Sequence, residues 1–169
     1  MMSLHKLAFI ALGIQIITLM ALPSAAENLE QPVVQFESHA KFGELPVLPS
    51  CLTVAVYRGN PAEGPSLLLI KTTKGCVVPL HWHTAREELL MISGTGRMEM
   101  EGMPAASMTE GDYALLPGKH HHQFTCASDC LMFDAVADTF DIHYLDKSGN
   151  EIPVKQALHA VSEKPGNSQ

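Results

Sequence analysis

The sequence predicts an all-β sandwich or barrel, and three observations carry that expectation. Short apolar or alternating runs succeed one another between residues 50 and 145, Gly, Pro, Asn or Asp signals stand between nearly all of them, and one stretch near the C-terminus has helical spacing. The chain of 169 residues is one domain's worth, and with 46% hydrophobic and 17% charged residues it can bury a substantial core.

In chain order, residues 1–26 read as a secretory signal peptide. Lys6 precedes an apolar run from Leu7 to Leu22 that ends in Pro23-Ser24-Ala25-Ala26, a small-residue cleavage pattern. A membrane span needs about 20 continuous apolar residues; this run is shorter and is interrupted by Gln15. Cleavage after Ala26 would leave a periplasmic or secreted chain with no membrane association. Losing Lys6 and no acidic residue turns 11 basic and 18 acidic residues into 10 and 18, a net charge of −8. That sign argues against nucleic acid as a partner.

Residues 27–49 alternate weakly at Val33, Val34 and Phe36 and carry Pro32, Pro46 and Pro49, which makes them an N-terminal arm with room for one short strand. Strands are then expected at Leu52–Tyr57, Ser66–Ile70, Cys76–His83, Glu88–Ile92, Arg97–Met100, Asp112–Leu116, His121–Thr125, Leu131–Ala135 and Phe140–Leu145. The breaks between them include Gly59-Asn60-Pro61, Gly64-Pro65, Lys74-Gly75, Ser93-Gly94, Glu110-Gly111 and Pro117-Gly118. After Pro153, Leu158 and Val161 are spaced for one face of a helix over Val154–Val161. The polar tail 162–169 should fray. The expected organisation is thus an arm (27–49), a β domain (50–145) and a C-terminal segment (146–169).

Cys51, Cys76, Cys126 and Cys130 all lie in the exported part, where an oxidising compartment permits disulfides in any of three pairings. Cys126 and Cys130 bracket Ala-Ser-Asp, a turn-like tripeptide, so a local bridge there is geometrically reasonable.

Candidate chemistry concentrates between Gly75 and Gly94. His81 and His83 stand two apart, and side chains at i and i+2 of a strand share a face. Trp82 between them should face the other way and pack. Glu87 follows four residues after His83, and two imidazoles with a carboxylate begin a site for Mn, Fe, Ni or Zn. A second glycine-led segment runs from Gly111 through Pro117-Gly118-Lys119 to His120-His121-His122.

Together the two segments resemble the cupin superfamily. Its first motif, a glycine, five residues, His-x-His, three or four residues, Glu, six residues and a glycine, is met at Gly75, His81, His83, Glu87 and Gly94. Its second, a glycine, five residues, Pro-x-Gly, two residues, His, three residues and Asn, is met at Gly111, Pro117 and His122. Lys119 stands where the second glycine belongs, with Gly118 one place early, and Cys126 stands in place of the Asn. The resemblance covers roughly residues 50–145. It implies a double-stranded β-helix, or jelly-roll, barrel with a short C-terminal helix, and one divalent transition metal inside held by His81, His83, Glu87 and His122. In six-coordinate geometry two positions would stay open for water, substrate or dioxygen. Superfamily members often pair through an edge strand, so a homodimer using the 27–49 arm is the corresponding expectation.

Other residues have plainer readings. Glu88 would be the ligand if the spacer were four residues; Glu87 keeps six residues to Gly94. His120, Tyr57 and Tyr113 are the available acids or bases near the motifs. Arg86 and Lys119 are rim charges or anion holders, and His143 is a strand histidine. Met98 and Met100 alternate as core residues do, and Phe124 and Cys126 share the parity of His122 and should line the interior. The expected function is an exported metal-binding protein with a pocket for a small organic ligand. The alternatives are a metal-dependent dioxygenase or related oxidoreductase, and a non-enzymatic metal or metabolite binding module.

Overall fold

Two five-stranded antiparallel sheets face each other in the computed structural model, which describes residues 32–162. The segment read as a signal peptide and the tail from residue 163 lie outside the described residues. The strands are β1 (Leu52–Gly59), β2 (Ser66–Thr72), β3 (Val77–Trp82), β4 (Glu87–Ser93), β5 (Gly96–Met100), β6 (Ala106–Met108), β7 (Tyr113–Leu116), β8 (His122–Cys126), β9 (Cys130–Val136) and β10 (His143–Tyr144). One sheet has the order β1-β2-β9-β4-β7 and the other β10-β3-β8-β5-β6. The jelly-roll expectation holds. Helix α1 (Val154–Ser162) packs on β3 and β10 and buries Ala157, with Val154, Leu158 and Val161 half-buried on the same side. Among the described residues no helix is long and apolar enough to cross a membrane.

Alternation puts one set of side chains between the sheets. On β9 the inward set is Cys130, Met132, Asp134 and Val136, on β4 it is Glu87, Leu89 and Met91, and on β8 it is His122, Phe124 and Cys126. Met91 and Met98 are fully buried, as packing methionines should be, whereas Met103 is exposed. The arm contributes as well. Gly43 bridges Val54, Leu45 and Leu48 pack against the core, and the Tyr144 hydroxyl donates to the Val47 carbonyl at 2.8 Å.

Two expectations about the strands need correction. β6 was not foreseen, because three residues are too few to show a period. The strand expected over Phe140–Leu145 shrinks to His143–Tyr144, since Phe140 turns in to the core and donates its N–H to the Pro61 carbonyl.

Two glycines in the turns are sterically required, one at a motif position and one beside it. Gly94 sits at φ +90°, and a Cβ there would meet the Asp129 carbonyl oxygen at 2.2 Å. Gly118 lets the backbone approach Thr84, whose carbonyl oxygen a Cβ would meet at 2.5 Å. The left-handed position falls on the next residue. Lys119, in the place of the missing motif glycine, has φ 63° and donates its N–H to the His83 carbonyl at 2.7 Å. The departure from the motif therefore keeps the turn at a conformational cost.

The disulfide joins Cys51 to Cys76, not Cys126 to Cys130. It ties the start of β1 to the start of β3, and so one sheet to the other, at the end of β3 remote from the histidines. The local pair stays reduced and buried, with the Cys126 sulfur against Thr72 Oγ1 at 2.8 Å and the Cys130 thiol donating to the Thr95 and Ser128 carbonyls. Burial pushes the Cys126 thiol up to about 12, so it is not a ready nucleophile. The bridge closes a loop of 25 residues. A double Cys51→Ala, Cys76→Ala variant should lose about 3 kcal/mol of stability in urea titrations through the freed chain entropy.

Candidate metal centre

A bulge in β3 aims the first histidine. β3 pairs with β8 at Val78↔Phe124 and again at His81↔His122, so an extra residue is accommodated around Pro79 and Leu80. Pro79 has no N–H to give to the ladder, which suits a bulge. The shift of one turns both Val78 and His81 inward, and it leaves the Pro79 carbonyl 2.6 Å from His81 Nδ1. His83 follows just past the end of β3, and its Nδ1 meets the Asp141 carbonyl. His122 opens β8, with its Nδ1 2.9 Å from the His120 carbonyl. A carbonyl oxygen can only accept, so all three rings carry their proton on Nδ1 and leave an Nε2 lone pair free.

Those free atoms converge. The ligand atoms of His81, His83 and His122 all lie within 4.8 Å of one another, and all three residues are buried. Glu87, at the start of β4 in the facing sheet, places Oε2 3.1 Å from His83 Nε2 and 3.8 Å from His122 Nε2. Glu88 points outside, where it accepts from the Tyr113 hydroxyl and from Arg86 Nη2 at 2.9 Å each.

Burial governs the protonation of this group. It holds the imidazoles of His83 and His122 at about 4 and lowers His81 too, with the neighbouring His122 and His83 adding to the effect there. In the absence of a cation, burial raises Glu87, and the carboxyl of Asp134 beside it raises it further. Asp134 is itself pushed up to about 7 by burial, its hydrogen bond with Glu87 acting in the opposite sense.

The site borders a cavity of about 60 Å³ whose walls are mainly apolar, including Leu52, Ile70, Phe124, Met132 and Phe140, with Asp134 among the few polar ones. One water needs roughly 10–15 Å³ of such volume. The space therefore holds a handful of waters or a ligand of a few non-hydrogen atoms.

The remaining expectations sort by position. Trp82 faces away and stacks on His143 at 3.8 Å, and His143 is held between Asp141 and Glu151. His120 serves through its carbonyl. Tyr57 packs edge-on against Phe133, and Tyr113 is exposed, so none of the three foreseen acid–base candidates lines the cavity. Arg86 pairs with Glu88, and Lys119 lies over Trp82. Sequence reasoning missed Asp134. The signal available was an acid at inward parity within the apolar run Met132-Phe133-Asp134-Ala135-Val136.

Residues 33–138 match the ChrR cupin-like domain, more than half of the chain. The chain belongs to that family. No curated protein matches this cupin significantly. Solved structures match it widely. It is similar to an RmlC-like cupin from Shewanella frigidimarina at 17% identity and TM-score 0.54, over 63% of this chain and 91% of that one. It is also similar to the polyketide cyclase RemF from Streptomyces resistomycificus, at 13% identity and TM-score 0.61, over 80% of this chain and 95% of that one. A third is an acetylacetone dioxygenase from Acinetobacter johnsonii, at 14% identity and TM-score 0.57, over 84% of this chain and 99% of that one. At these identities the likeness is one of fold, and the reaction has to be argued from the site.

Proposed function

We propose that this cupin binds one divalent transition metal, Mn, Fe, Ni or Zn, through His81, His83, Glu87 and His122, and offers its remaining coordination positions to a small organic ligand. One observation carries the reading. With every Nδ1–H spent on a carbonyl, three Nε2 lone pairs and a carboxyl group face one another out of water. A proton can relieve one such pair at a time; a cation satisfies them together. When bound, the metal would supply a Lewis-acidic centre with open positions. The cavity volume limits the ligand to a few non-hydrogen atoms.

Export to an oxidising compartment belongs to the same proposal. It is supported by the Leu7–Leu22 run with its small-residue end and by the Cys51–Cys76 bridge. Protein purified without an affinity tag from metal-replete cells is expected to carry close to one transition-metal ion per chain by elemental analysis, and metal-free protein would overturn the reading. A dioxygenase is the second reading, favoured by the neutral three-imidazole face. Oxygen uptake with small β-diketones and thiols tests it, and no turnover would leave the binding module.

A further inference from the structure

We propose that Asp134 is a positioning residue for the metal centre, holding the Glu87 carboxylate in the orientation a metal needs; this rests on the metal-binding reading above. Asp134 comes from β9, the strand beside β4, and the register Leu89↔Asp134 and Glu87↔Val136 makes it the diagonal inward neighbour of Glu87. The two carboxyl groups line the same cavity from adjacent strands, so a proton held by one of them can be shared with the other. Each histidine of the cluster has a carbonyl fixing the nitrogen that faces away from the others. Asp134 does for Glu87 what Pro79, Asp141 and His120 do for the imidazoles, and such outer partners set ligand orientation.

The second observation is what Asp134 costs. It is 3% exposed, and its Oδ1 has no hydrogen-bond partner. Ser66 Oγ, also buried and unpartnered, lies diagonal to it across β2 and β9 without reaching it. An unsatisfied buried oxygen destabilises a fold, and an apolar side chain of similar size would pack this wall more favourably. A carboxyl that works against stability, placed on the cavity wall against a proposed ligand, is explained by the site and not by the core.

The experiment compares Asp134→Leu and Asp134→Asn in the full mature chain. Two quantities are read for each: Zn(II) or Mn(II) affinity by competition with a chelator, and melting temperature without metal. Leucine should weaken metal binding 10- to 100-fold while the metal-free melting temperature holds or rises. Asparagine, which keeps a donor for Glu87, should bind within about threefold of wild type. Unchanged affinity in the leucine variant overturns the proposal, as does equal loss in both variants. A fall in both affinity and metal-free melting temperature for leucine marks a structural role and also overturns it. Asp134→Ala takes the place of the leucine variant if that chain does not fold. Wild type that binds neither ion would instead sink the metal-binding reading on which the proposal rests.

Discussion

Saturating metal-free protein with its preferred divalent ion will raise the melting temperature by roughly 10–15 °C, and the His81→Ala, His122→Ala double variant will show no shift. The size follows from where the ligands sit. His83, just past the end of β3, and His122, on the neighbouring β8, are 39 residues apart in the chain, and Glu87 reaches them from the other sheet. An ion at their shared centre joins the sheets in the folded state and finds no such site in the unfolded one. At a thousand times the dissociation constant the linkage is worth about 4 kcal/mol, and for a chain of this length each kcal/mol moves the midpoint by about 2–4 °C. Removing two of three imidazoles takes away both the ion and the shift. Calorimetry with and without metal on both proteins reads the outcome, and an equal shift in the double variant would place the ion elsewhere.

The second large effect is on pH. The imidazoles of His83 and His122 stay neutral down to about 4, and burial lowers His81 as well, so proton release on metal binding should come from the carboxyl pair. Glu87 is raised, and it shares a hydrogen bond with Asp134, raised to about 7. A group whose folded pKa is raised keeps its proton as the pH climbs, and a metal needs the carboxylate. Affinity should therefore rise with pH by about tenfold per unit between pH 5 and 7, with about one proton released per ion. Three ordinary histidines would give a steeper dependence below pH 6.5. Titration calorimetry at pH 6 in buffers of different ionisation enthalpy counts the protons. Release of three or more, beyond what the two carboxyls can supply, would show that the imidazoles limit binding.

Much of the frame could be read from the chain because local signals were strong. The short apolar runs Leu52–Tyr57 and Ser66–Ile70, set apart by Gly59-Asn60-Pro61 and Gly64-Pro65, mark strands without any knowledge of the partner strand. The convergence of His81, His83 and His122 was legible for a related reason, since each lies in a short glycine-led segment bounded by turn residues. What escaped depends on distant chain. The disulfide joins residues 25 apart, where the sequence pointed to a pair four apart. The Pro79 bulge, which flips the parity of β3, is fixed by pairing with β8. Asp134 reads as an isolated acid in an apolar strand, and its meaning comes from Glu87, 47 positions earlier.

The three histidines are not anchored alike. His81 and His122 each lean on a carbonyl two residues away, within their own stretch of chain, whereas His83 leans on Asp141, 58 residues away. Asp141 in turn accepts from the Thr84 N–H at 2.8 Å, so the segment from Ala137 to Ile142 clips onto the chain beside His83. Local opening of an irregular segment costs less than unfolding the strands around it. The orientation of His83 therefore depends on a distant segment, itself held by Phe140 in the core and by the Pro61 and Arg86 carbonyls, while the other two imidazoles depend on their own stretch of chain. A substitution that loosened residues 137–142 would then disturb His83 before it disturbed His81 or His122.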